Sequence, residues 1–142
     1  MIVAHDQGSE KILKKYFNNV PATLPDFTIK LFCNGITPAT DDTAADFTEA
    51  SGGGYAAKTL TEGSFTVALD AGDGVYYASY AAQVFTFTGA LTTNPNIYGY
   101  YILDGDGDIV YSEVAPAVFT PALNGDTLII IPKIKLGAGT PS

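Results

Sequence analysis

The residues able to do chemistry are few and scattered along the chain. One histidine, His5, stands beside Asp6 near the amino terminus. In that position it reads as an exposed, mobile imidazole on a terminal arm, not as a fixed general base. With no second histidine, no Ser/His or Cys/His nucleophile–base pair can be assembled around a pocket within one chain. The single cysteine, Cys33, cannot form an internal disulfide, and its place on the apolar side of an alternating run marks it as an inert core thiol. Asp104-Gly105-Asp106-Gly107-Asp108 spaces its carboxylates like the start of an EF-hand calcium loop. Ile109, however, stands where that loop needs glycine, and Ala115 where it needs a bidentate glutamate. A solvated hairpin tip is the expectation, and Asp70 and Asp73 read the same way, as turn formers. Asp104 and Glu113 are formally a carboxylate pair for general acid–base work, but nothing in their spacing selects that role. The glycines at 52–54 lack the Lys-Ser/Thr pair and helix of a phosphate loop. They read as a conformational joint, where positive φ or a close backbone approach is needed. No catalytic, cofactor-binding or metal-ligating residue is assigned, and an enzyme is not expected.

Composition narrows the partners. The net charge is −8 and the chain has no arginine, which argues against nucleic acid, whose phosphates need a Lys/Arg footprint. Hydrophobic residues make up 46% and charged residues only 15%, so part of the apolar surface is expected to be covered by a partner. Residues 1–20 lack the apolar run of a signal peptide, and no run is long enough to span a bilayer. A soluble protein with no membrane partner is expected.

These groups must be positioned by short elements. Helical spacing is clear only over 9–19, with Ser9 as N-cap and Glu10 in the first turn. Ile12, Leu13, Tyr16 and Phe17 form one stripe; Lys11, Lys14, Lys15 and Asn18 form the opposite face. So short a helix is marginal alone and must dock that stripe, on its own domain or on a neighbouring subunit. Pro21 and Pro25 make 20–26 an extended connector. From residue 27 the period changes to two: Phe27, Ile29, Leu31 and Cys33 alternate with Thr28, Lys30 and Phe32. Asn34-Gly35 turns the chain, and 37–50 reads as a polar surface loop. Further strands are expected at 55–60, 64–69, 75–80, 83–88, 97–103, 108–114, 117–120 and 127–131, the last continued past Pro132 by 133–136. Tyr98 and Tyr100 should share one face of their strand and Tyr101 the other; Tyr76, Tyr77 and Tyr80 form a second aromatic group. Tyrosines left outward could serve a protein interface or stack on sugars. The expected fold is mainly β, a jelly-roll-like antiparallel β-sandwich over 27–136, preceded by an arm over 1–26 and followed by a tail over 137–142.

The order of these pieces is itself informative. A short helix precedes a strand and an acidic loop; then come Ser51-Gly52-Gly53-Gly54-Tyr55-Ala56, the Ile97-Tyr98-Gly99-Tyr100-Tyr101 strand, an Asp-Gly hairpin, and Asn124-Gly125-Asp126-Thr127 before an Ile-rich strand. Over roughly 10–136 this resembles small structural proteins of tailed bacteriophages. The resemblance implies a non-enzymatic virion component: a capsid cement or decoration protein, typically a homotrimer, clamping major capsid subunits on the capsid surface. A tail-tip or fibre-associated protein that binds a glycan or receptor is the alternative. The candidate partner-binding residues are Ile12, Leu13, Tyr16 and Phe17, with Lys11, Lys14 and Lys15.

Overall fold

The computed structural model describes residues 2–17 and 26–135. Along the chain come β1 (Ile2–Ala4), α1 (Asp6–Phe17), β2 (Asp26–Phe32), a 3-10 turn (Ala44–Asp46), β3 (Lys58–Thr61), β4 (Thr66–Leu69) and β5 (Tyr76–Ser79). They are followed by β6 (Gln83–Thr86), β7 (Ile97–Leu103), β8 (Ile109–Phe119), β9 (Thr127–Ile130) and β10 (Lys133–Lys135). All strand pairings are antiparallel. One layer is a five-stranded sheet in the order β1-β8-β7-β2-β3; facing it are the smaller sheets β10-β5-β4 and β6-β9. Ile29, Leu31, Leu60, Ile102 and Tyr111 of the large sheet meet Phe85 and Phe87 in the core, with Leu128, Ile130 and Ile134 at its margin. The chain is thus a mainly β, sandwich-like protein with one short N-terminal helix, its strands divided five, three and two.

The large sheet is covered on its other face as well. Phe32, Tyr101, Leu103 and Ile109 form a second apolar cluster closed by Phe47, which stacks on Tyr101 at 4.9 Å between ring centroids. Phe47 comes from the segment expected to be a polar surface loop, so that expectation is corrected. The loop is polar in composition, but burying one phenylalanine is worth about 2 kcal/mol and folds it back over the sheet. The Cys33 N–H donates to the Thr48 carbonyl (2.8 Å) and the Ala50 N–H to Leu31 (2.9 Å), which fixes the loop along β2. Cys33 is buried as expected, and burial raises its thiol pKa, which keeps it unreactive.

Two irregularities shape the β7–β8 ladder. Between Ile97↔Phe119 and Gly99↔Val114 the register shifts, and Pro116, which has no N–H to give, falls in the interrupted stretch. The expected separate strand at 117–120 therefore runs on as the end of β8. The shift also moves Tyr98 onto the Phe32–Tyr101 side, away from Tyr100, against the simple alternation expected. Gly99 lies at this crossing: a Cβ there would be 2.1 Å from the Glu113 carbonyl oxygen and 2.8 Å from the Phe32 ring. Pro132 ends β9, and the chain passes from β6 to pair with β5 instead. The glycines at 52–54 have φ of 79°, 56° and 75°, and the Gly53 carbonyl accepts the Thr88 N–H at 2.9 Å. They are a close backbone crossing, as their composition implies.

The amino-terminal segment departs most from expectation. Residues 2–4 form β1, paired with Tyr111, Ser112 and Glu113 of β8, so the described part of the expected arm is built into the large sheet. The helix begins at Asp6, one turn before the expected Ser9 cap. Its first amides find acceptors outside the helix: His5 N–H on Val110 (3.1 Å) and Asp6 N–H on Thr40 (2.9 Å). Residues 18 and 19 of the expected helix, the Pro21/Pro25 connector through residue 25, and the tail from 136 lie outside the described residues. Gly99→Ala is expected to destabilise the protein by about 3 kcal/mol through overpacking in the central strand, read as a lower midpoint in urea unfolding at unchanged slope.

Candidate functional site

The hairpin joining β7 to β8 is organised by one carboxylate. Asp104 is 4% exposed. Its Oδ1 accepts the backbone N–H groups of Asp106 (2.9 Å) and Asp108 (3.0 Å), and its Oδ2 accepts Lys11 Nζ at 2.8 Å. Lys11 also reaches Asp106 at 3.0 Å and Asp108 at 2.5 Å. The carboxylates converge within 4.8 Å of one another, and the ammonium of Lys11 lies where a cation would. Burial works against that charge, but the hydrogen bonds to the three aspartates outweigh it and hold the Lys11 pKa above its ordinary value. The expected solvated tip describes Asp106, whose side chain is 65% exposed, and not Asp104. Glu113 is held separately: Tyr100 OH donates to it at 2.7 Å. The Asp70–Asp73 turn is tied down in the same style, by Lys135 at 2.8 and 2.6 Å.

Lys11 is one of three contacts that dock α1 by its first half. Gly8 packs so tightly that a Cβ would lie 2.7 Å from Val110 Cα, and Gln7 Oε1 accepts the Ile109 N–H at 3.2 Å. The second half carries the candidate partner-binding residues outward. Ile12 is 38% exposed, Leu13 56%, Tyr16 80% and Phe17 74%. Tyr16 and Phe17 meet edge-to-face, 5.3 Å between centroids. The lysine face is spent inside the chain: Lys11 on the hairpin, Lys14 on Glu10 one turn earlier, and Lys15 on Glu62 at 2.8 Å. Leu13, Tyr16 and Phe17 are thus exposed together, whereas the lysine face expected opposite the stripe is ion-paired and, through Lys11 and Lys15, lines the same groove as Ile12.

Beside the helix lies an apolar groove of about 450 Å³, lined by Ile12, Phe27, Phe65, Val67, Tyr76 and Ile134 among others. Its charged rim is balanced, with Lys15 beside Glu62 and Lys11 beside Asp104. No run of sequence signals this groove, because β2, β4, β5 and β10 bring its walls together from distant parts of the chain. Of the tyrosines expected to cluster, Tyr76 remains 65% exposed at the groove. Tyr77 packs under the Lys133 ammonium at 5.0 Å, and Tyr80 OH accepts the Thr61 N–H at 3.2 Å. Among the described residues no helix is long and apolar enough to cross a membrane.

Comparison with known protein families, with curated proteins and with solved structures returned no match. What the arrangement can do is read from its surfaces: a helix pinned at one end, an exposed aromatic–aliphatic face at the other, and an adjoining apolar groove. Because Asp104 is buried and bonded to Lys11 and two amides, Asp104→Ala is expected to cost about 3 kcal/mol. Asp106→Ala, at an exposed ion pair, should change stability by less than ~0.5 kcal/mol. Chemical denaturation of the two variants side by side checks the difference.

Proposed function

We propose that this chain is a non-enzymatic structural protein of a virion, a capsid decoration protein that binds the outer face of the major capsid lattice as a homo-oligomer, most simply a trimer. The observation that carries the reading is the exposure of Leu13, Tyr16 and Phe17 on a helix whose other end is fixed to the sheet by Gly8, Gln7 and Lys11. Large apolar side chains presented to solvent on a docked helix suit an interface, since the ordering cost of the helix backbone is already met before binding. The order of sequence elements, which resembles that of phage structural proteins, and the low content of charged residues support the same reading. The groove beside Ile12 extends the docking face and would receive an apolar side chain from the capsid subunit.

Removing residues 1–20 would take β1 out of the large sheet, so surface substitutions test the docking face more cleanly than truncation. Leu13→Ser, Tyr16→Ser and Phe17→Ser combined are expected to leave the unfolding midpoint within ~1 kcal/mol of the parent. The same variant should lose cosedimentation with capsids by at least about a hundredfold in apparent affinity, as expected for removed aromatic anchors. Undiminished cosedimentation of the triple variant overturns the docking face. Densitometry of purified particles tests the location: copy number comparable to the major capsid protein supports decoration, and a few copies per particle supports a tail component.

A further inference from the structure

His5 occupies the joint between β1 and α1, with β8 and the loop carrying Phe47 against its ring. It is 0% exposed. Its Nε2 is 2.8 Å from Ser112 Oγ on β8, and its ring meets Phe47 edge-to-face at 5.9 Å. Its backbone N–H donates to Val110 and its carbonyl accepts the Ser9 N–H, the first hydrogen bond of the helix. Nδ1 has no hydrogen-bond partner among the described residues. This is a buried titratable group that no contact described so far requires to titrate, at the junction where β1 passes into α1 against β8.

We propose that His5 is a pH-operated latch, which holds β1 and the first turn of α1 on the sheet while neutral and releases them when protonated. The ring cannot gain a proton in place without carrying a charge into a site closed to water. The groups facing it are Ser112 from β8, Phe47 and Asp42 from the loop, and Asp6 from α1. Burial disfavours the imidazolium; the charge and main chain of Asp42 and the charge of Asp6 favour it, and burial prevails, so the His5 pKa lies below its ordinary value of 6.5. The sign follows. A released His5 binds a proton more readily than a latched one, so the latched state is fully favoured above about pH 6.5 and loses ground as the pH falls below it. Opening is local because β1 is a three-residue edge strand whose only ladder is with β8. α1 carries the face proposed to dock on a capsid, so mild acid would also disorder that presentation. This last step rests on the docking reading; the latch does not.

Native-state hydrogen exchange on the full chain tests it without any partner. After correction for intrinsic exchange chemistry, protection of the His5, Asp6 and Ser9 amides is expected to fall about tenfold between pH 7.5 and pH 5.5, one proton being taken up on opening. The His5→Gln variant, neutral throughout and able to bond Ser112, should show no such fall. Should that variant not fold, an NMR titration of the wild-type ring decides: it should protonate only below pH 6.5. Protection independent of pH, an equal fall in His5→Gln, or a ring titrating at or above 6.5 overturns the latch. Loss of capsid binding without a change in these amides would leave it standing, so the two readings fail separately.

Discussion

The strands β2, β7 and β8 must be covered on both faces, and most of the structure follows from that constraint. Their side chains are apolar on both sides: Ile29, Leu31 and Ile102 toward the smaller sheets, and Phe32, Tyr101 and Ile109 away from them. A single facing layer would leave the second set in water. The loop carrying Phe47 therefore folds back along β2, and the amino-terminal β1–α1 unit closes the edge beside β8. Gly99 is part of the same solution. Where β7 crosses under the Phe32 ring and against the Glu113 carbonyl there is no room for a side chain, so the strand accepts the entropic cost of glycine for closeness.

Much of the strand pattern was legible because period-two alternation and Gly/Asn/Asp turns are local signals. Expected strands at 97–103 and 127–131 fall within a residue of β7 and β9, and the glycines at 52–54 adopt the positive φ their composition implies. The failures share one cause: each residue's role is set by something far away in sequence. Alternation alone gives the 37–50 loop no reason to be buried, since the apolar face it covers is assembled from β2, β7 and β8. Tyr98 leaves the face of Tyr100 because a bulge, signalled only by Pro116 on the neighbouring strand, shifts the register. Three residues are too few to show a period, so β1 was invisible and His5 read as exposed.

The candidate site was half legible for the same reason. Helical spacing places Leu13, Tyr16 and Phe17 on one exposed side, while Ile12 at its edge turns to the groove lined by Lys11 and Lys15. Which half of the helix would dock was not written in its spacing. The deciding residues are Gly8, whose lack of a side chain lets α1 approach Val110, and Lys11, which meets carboxylates some ninety positions away. A lysine in an apolar-striped helix looks like a solvated face. Here it is the anchor, because Asp104 is too buried to be left without a counter-charge.

The two anchors of the amino-terminal unit answer to different conditions. Lys11 is bound through carboxylates, whose hydrogen bonds favour its charged form. His5 is held by burial of a neutral ring, which is the arrangement most sensitive to mild acid. Once the pH falls below the titration of free histidine, β1 can leave the sheet while the Lys11 contact, which does not depend on His5, tethers the helix to the hairpin. The aromatic end of α1 would then remain attached to the domain but lose its fixed direction, which the Gly8 and His5 contacts supply.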